Sequence, residues 1–223
     1  MNLPDWVEVL SCGVAQCKLE CVLRISRRLF VAGAIAGVTA SAVRPTFAQI
    51  PTVGPVDRNL LSRAREAMER HRDSIVHRDV MGIADFSLPS SAPRFHLLNV
   101  ADGSMKSHLV AHGRGSDPSH SGWLERFSNE PHSYATSAGA YRTDRIYAGA
   151  HGASIRLEGL DASNSNAAAR AIVVHGAWYV SQDMARDHGI LGRSEGCFAV
   201  APASLSEILA ALGYGRLIYA DKV

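Results

Sequence analysis

Between residues 57 and 77, apolar side chains recur at helical spacing, at Leu60, Leu61, Ala64, Met68, His71 and Ile75, with Arg and Glu between them. This spacing predicts an amphipathic helix that packs one face on a domain. The period then shortens. Residues 83–86, 94–100 and 105–112 read as short strands, with Asp102-Gly103 placed for a type I′ hairpin turn. Residues 113–131 are polar and rich in Gly, Ser and His around Trp123 and Phe127, as in a long loop bordering a cleft. Strand signals resume at residues 139–142, 154–157 and 171–174. A helix over 202–212 opens at a proline and stops at Gly213, before a closing strand at 217–220. The pattern predicts a mainly β domain with flanking helices, and no internal repeat is visible.

The N-terminus changes the picture of compartment. Ser26-Arg27-Arg28-Leu29-Phe30 leads into an uncharged Ala- and Gly-rich run, and Thr46-Phe47-Ala48 places small residues at a cleavage position. This reads as a twin-arginine export signal cut after Ala48, with a run too short to remain as a membrane span. Its n-region is unusually long, and a start codon assigned too early accounts for that. The expected organisation is therefore an export signal over 1–48, a linker and lead-in helix over 49–82, and a β-rich domain over 83–223. The product is expected outside the cytoplasmic membrane, in the periplasm or at the cell wall.

Charge excludes one class of partner. Residues 1–48 carry five Lys/Arg and three Asp/Glu, and the remainder carries 18 of each sign. A balanced chain lacks the basic face that nucleic acid requires. A single domain of this size has an ample core and is expected to be a monomer.

Cysteine usage then points to chemistry. Cys12, Cys17 and Cys21 precede the cleavage position, so Cys197 alone remains after processing. A lone thiol in an exported chain is inert and buried, an intermolecular partner, or reactive, and its surroundings favour the last. His175-Gly176 ends the apolar run 172–174, and Arg193-Ser194-Glu195-Gly196-Cys197 arrives 22 residues after the histidine. An imidazole beside a thiol generates a strong nucleophile, and an adjacent glycine frees the backbone to aim N–H groups at an oxyanion.

These residues carry a resemblance. The segments Ile172-Val173-Val174-His175-Gly176-Ala177 and Gly192-Arg193-Ser194-Glu195-Gly196-Cys197 resemble the His…Ser-x-Gly-Cys signature of the murein L,D-transpeptidases. Thr136-x-x-Gly139-x-Tyr141 and His151-Gly152-x-Ser154-Ile155-Arg156-Leu157 fit the same family upstream. The resemblance implies a mixed β-sheet domain acting on peptidoglycan stem peptides, without a cofactor or metal. It implies Cys197 as nucleophile, His175 as base, and the Gly176 carbonyl as the group orienting His175. It also implies Ser194 as a loop brace, and the N–H groups of Gly196 and Cys197 as the oxyanion hole. Arg193, His151 and Tyr141 are candidate substrate contacts. Two positions depart from the family pattern: Glu195 stands where many members have a second histidine, and Ala199 where many have Arg or Asn. The His–Cys gap is also longer than is common, and an inserted loop at 183–189 accounts for it.

Rival readings are a zinc amidase, a papain-like endopeptidase and a catalytically idle wall-binding module. His108, His112, His120, His132 and His151 crowd one region but lack the local spacing of a zinc site. A papain-like enzyme places Cys before His, the reverse of the order here. The intact Cys/His pair opposes the idle module.

Overall fold

The structure is a computed structural model that describes residues 56–223. Its elements are α1 (Arg58–Arg70), β1 (Val80–Asp85), β2 (Phe95–Asn99), β3 (Met105–His108), β4 (Val110–Ala111), β5 (Gly139–Gly149), β6 (Gly152–Gly159), β7 (Val173–Gly176), α2 (Gln182–His188), β8 (Phe198–Val200), α3 (Pro202–Leu212) and β9 (Leu217–Asp221).

Among the described residues, nine strands form one mixed sheet in the order β3-β2-β1-β9-β5-β6-β7-β8-β4. The pairs β1–β9 and β7–β8 are parallel and the others antiparallel. The two edge strands, β3 and β4, are separated in the chain by Leu109 alone. Chain continuity therefore draws the ends of the sheet together, and the sheet curls until it nearly closes. Mainly β architecture with flanking helices is what the hydrophobic pattern predicted.

Side-chain alternation builds a core on each face. Ala84, Ile218, Ala220, Tyr141, Leu157, Val174, Phe198 and Val200 face the enclosed side, together with Ile208, Leu209 and Leu212 of α3. There the Phe198 ring meets Tyr141 edge-on, with centroids 5.4 Å apart. The intervening residues Met81, Ile83, Leu217 and Tyr219 point outward and are covered by Leu60, Ala64, Ala67 and Met68 of α1. The Asp57 carboxylate caps α1 by accepting from Asn59 N at 2.8 Å and Leu60 N at 3.2 Å.

Several boundaries differ from the sequence reading, each for a local reason. Helix α1 ends at Arg70 rather than near His77, because the backbone N–H groups of Val76 and His77 are both taken by the Gly215 carbonyl, which draws the chain off the helix axis. Ile75 nonetheless reaches the same apolar cluster. The strand expected at residue 83 begins at Val80, and the one expected over 105–112 is split at Leu109 into the two sheet edges. The β2–β3 connection is wider than a two-residue turn: Asn99 N donates to Ser104 O at 2.9 Å, enclosing residues 100–103. The supposed inserted loop at 183–189 is helix α2, capped by Ser181 Oγ at 3.1 Å from Met184 N and closed by Gly189 at φ 70°.

Two buried histidines tie stability to pH. Burial holds His96 neutral, with its pKa pushed down to about 4, and Asp85 and His108 modify it to a lesser degree. His96 Nδ1 lies 2.8 Å from Ser107 Oγ, but the Nε2 atoms of both His96 and His108 are buried without a partner. An unfolded histidine takes its proton below about pH 6.5, before folded His96 does. Stability therefore falls as pH drops through that value and levels off below about pH 4. For His96 alone the loss between about pH 7 and pH 5 is about 2 kcal/mol. His96→Leu is expected to flatten urea-unfolding stability over that interval by about this amount; an unchanged pH dependence would remove His96 as its source.

Candidate active site

The two chemistry-bearing residues are brought together by the parallel pairing of β7 and β8. Its register sets Val174 beside Phe198 and His175 beside Ala199. Val174 and Phe198 point into the core, so His175 and Cys197 both emerge on the opposite face. Both line one cavity of about 670 Å³, together with His132, Tyr134, His151, Arg170 and Tyr179.

His175 Nδ1 lies 3.0 Å from the carbonyl oxygen of its neighbour Gly176. That carbonyl can only accept, so Nδ1 carries the proton and donates, leaving Nε2 as the basic nitrogen. The ring is nearly buried and its pKa lies below the ordinary value of 6.5, chiefly from burial and further from nearby His151. His151, at the β5–β6 turn, stacks on His175 with centroids 4.3 Å apart and ring planes 23° apart.

The thiol rests away from the imidazole. Cys197 Sγ donates to the Ala171 carbonyl at 3.8 Å, and the parallel register places Cys197 level with Val173, one side-chain step along the strand from His175. Burial pushes the thiol pKa up, while the Val173 N–H and the Arg170 guanidinium pull it back less strongly. Both shifts favour the uncharged forms, a neutral thiol and a neutral imidazole.

The loop before Cys197 is held from three sides. Ser194 N donates to His112 O at 2.9 Å, Arg114 N donates to Ser194 O at 2.8 Å, and Thr136 Oγ1 donates to Gly196 O at 3.3 Å. Ser194 braces the turn: its Oγ donates to Cys197 O at 2.7 Å and accepts from Gly196 N at 3.2 Å. The Gly196 N–H, expected to serve the oxyanion hole beside the Cys197 N–H, donates to this hydroxyl in the resting loop. Gly196 itself sits at φ 116°, and a Cβ there would lie 2.8 Å from Ala135 O and 3.0 Å from an Arg170 nitrogen. Only glycine fits.

Behind this loop lies a buried polar chain. Arg94 donates to Leu88 O at 2.8 Å, to Val110 O at 3.1 and 3.2 Å, and to His112 Nδ1 at 2.8 Å. His112 Nε2 in turn faces Asp117 Oδ2 at 3.3 Å, and Asp117 accepts from Ser121 N at 2.8 Å and Gly122 N at 2.9 Å. Asp117 thereby shapes the 113–131 loop. Both ring nitrogens of His112 are occupied, and among the described residues no group of three or more His, Cys, Asp or Glu is placed to hold a metal ion.

The remaining candidates separate. Arg193 lines the cavity, but its guanidinium clasps the carbonyls of Asp117 and Pro118, holding the loop. Glu195 is exposed at the rim, 3.4 Å from Arg114, whose guanidinium stacks over Tyr134 at 3.7 Å. Tyr141 does not reach the cavity. It is fully buried, donates to Ser137 O at 2.7 Å and packs on Phe198, because its position on β5 points inward. Ala199 is buried in a small apolar cluster with Leu109, Ala111 and Val180.

Arg170 and Tyr134 were not evident from sequence. Arg170 donates to Ser128 O at 2.8 Å, to Ser137 Oγ at 2.7 Å and to Ala135 O, suturing the loop against the Cys197 turn. Among the described residues, four non-glycine residues have positive φ, and three of them, His132, Tyr134 and Ala171, line this cavity; backbone strain of this kind gathers at functional sites.

A family profile described as the L,D-transpeptidase catalytic domain matches residues 54–220. Solved structures similar to this chain include an L,D-transpeptidase from Mycobacterium smegmatis, at 14% identity over 64% of this chain and 58% of that one, TM-score 0.39. Another is L,D-transpeptidase 3 from Mycobacterium tuberculosis, at 14% identity over 64% of this chain and 61% of that one, TM-score 0.41. An L,D-transpeptidase from Xylanimonas cellulosilytica is 14% identical over 70% and 68% of the two chains, TM-score 0.34. The chain thus spans about three-fifths of the length of the two mycobacterial proteins. No curated protein matches it.

The two pKa directions generate a prediction about the free protein. Iodoacetamide should alkylate Cys197 slowly at neutral pH, with a rate rising through an apparent pKa above the ordinary thiol value of 9.0. Half-maximal alkylation near or below neutral pH would instead mean a resting thiolate–imidazolium pair.

Proposed function

The chain belongs to the L,D-transpeptidase family, whose members are enzymes acting on peptidoglycan, and on that premise we propose that it is an exported thiol acyltransferase of stem peptides. The observation that carries this reading is the convergence of Cys197 and His175 in one cavity, with the Gly176 carbonyl fixing the imidazole so that Nε2 is free.

Catalysis begins when the donor stem enters and Sγ turns toward His175. Nε2 takes the thiol proton as sulfur attacks the carbonyl joining the third-position diamino acid to terminal D-Ala. The Cys197 N–H is the backbone donor assigned to the oxyanion, and the Arg170 guanidinium adds a positive charge to the same cavity. The tetrahedral adduct collapses as the imidazolium returns its proton to the departing D-Ala amine, leaving a thioester. An amine of a second stem then attacks the thioester while Nε2 accepts its proton. Its collapse frees the thiol and leaves a cross-link between third-position residues. Water in place of the amine gives net removal of D-Ala.

A low imidazole pKa suits this sequence, because His175 is unprotonated and ready as a base at neutral pH. Delivery to the periplasm by the twin-arginine motif completes the reading; that motif lies outside the described residues. Among the described residues, no helix is long and apolar enough to cross a membrane.

Incubation of the chain with a purified tetrapeptide muropeptide in EDTA, followed by mass spectrometry, tests the proposal. D-Ala release is expected for the wild type and is expected to fall by about a thousandfold or more in Cys197→Ala and by about a hundredfold or more in His175→Ala. Release that persists in Cys197→Ala would contradict the nucleophile assignment.

A further inference from the structure

Beyond the bulge between Thr143 and Ile146, the β5–β6 hairpin leaves the core: Asp144, Arg145, Ile146, Ala148, Ala150 and His151 are all exposed. Its tip nonetheless returns to the candidate active site. The pairing of Gly149 with Gly152 closes the hairpin on the two residues Ala150 and His151, and Gly152 takes φ 76° to make the turn. Ser154, two residues on, is buried directly opposite His175 in the β6–β7 pairing, and its Oγ donates to Gly152 O at 3.2 Å. That bond ties the turn to the strand flanking His175, and the His151 ring comes to lie over the imidazole at 4.3 Å between centroids.

The two contacts on His175 are complementary. The Gly176 carbonyl holds one edge of the ring through Nδ1, and His151 covers one face. An edge contact sets the tautomer and a face contact sets the tilt, so together they leave Nε2 directed at the cavity. The other ionisable residues lining that cavity are His132, Tyr134, Arg170, Tyr179, Arg193, Glu195 and Cys197, and among the described residues none but His151 stacks on His175. The stack also acts on charge. A second positive ring this close opposes an imidazolium, whereas a neutral ring presents a π face that favours one.

We propose that His151 is a positioning residue: its ring, carried on the hairpin turn, clamps the face of His175 and holds Nε2 toward the cavity that Cys197 lines. The inference rests on the acyl-transfer reading for the reaction it serves, and it gives His151 no contact with substrate.

Steady-state D-Ala release from a tetrapeptide muropeptide by the full-length chain, followed across pH, tests this. His151→Ala is expected to lower kcat about tenfold or more with KM unchanged, and His151→Phe, which keeps a stacking face, is expected to recover most of that loss. Phenylalanine carries no charge to oppose an imidazolium, so the His175 pKa rises and the acid limb of the His151→Phe profile moves to higher pH than in the wild type. A raised KM with kcat intact would make His151 a substrate contact, and equal losses in both variants would deny the role of the stack; either result, or unchanged kinetics, would overturn the proposal. The stack is also scored without turnover, by NMR titration of the His175 ring in Cys197→Ala with no substrate present. Adding His151→Phe is expected to raise the midpoint, and an unmoved midpoint would overturn the proposal. Absence of D-Ala release by the wild type would count against the acyl-transfer reading alone, and the titration would still decide the stack.

Discussion

The parallel pairing of β7 with β8 is the constraint on which the site depends. Parallel neighbours cannot be joined by a tight hairpin, so the chain between them makes a long excursion through Trp178, Tyr179 and α2 before returning at Ser194. That excursion delivers both the cavity wall and the Cys197 turn. The register then decides chemistry: a slip of one residue would turn His175 into the core and expose Val174, reversing the faces of the strand. Packing resists the slip, because Val174, Phe198 and Val200 are fully buried on the enclosed side.

Precision at Cys197 comes from polar contacts, since the turn itself carries little apolar surface. Ser194, Thr136 and the backbone of residues 112–114 hold it on one side, and Arg170 closes it on the other. The Arg94–His112–Asp117 chain extends this support inward. Burial lowers the Arg94 pKa to about 9, still well above neutrality, so it remains a cation whose hydrogen bonds go to carbonyls and to His112. Burial likewise keeps His112 neutral, with a pKa near 4. A buried network of this kind is costly when partly broken, and here it fixes the loop that carries Asp117 beneath the rim.

Much of the fold was legible where sequence signals coincide with burial. Helix α3 announces itself through Pro202 and Gly213, and β9 through an uninterrupted apolar run. Helix α2 was read as a loop because none of its residues is buried and it has no apolar stripe; the Ser181 and Gly189 caps were its only local signal. Strand β5 runs on to Gly149 for the same reason, its far half being exposed beyond the bulge. Cys197, His175 and Gly176 were legible as a linear motif. The involvement of Arg170, His132 and Tyr134 was not, since these residues converge only through the curl of the sheet and the fold of the 113–137 segment. The inward position of Tyr141 was not legible either, because it depends on the β5 register, which no local spacing reveals.

In the proposed mechanism, the thiol's move from the Ala171 carbonyl to His175 leads to one covalent intermediate. The measurement that addresses it most directly is intact-protein mass spectrometry of the acid-quenched chain during turnover of a tetrapeptide stem. A transient adduct of donor mass minus D-Ala, located on Cys197 and labile to hydroxylamine, is expected. Turnover without any such adduct, under conditions in which the second step is slowed by withholding an amine acceptor, would contradict thioester formation at Cys197.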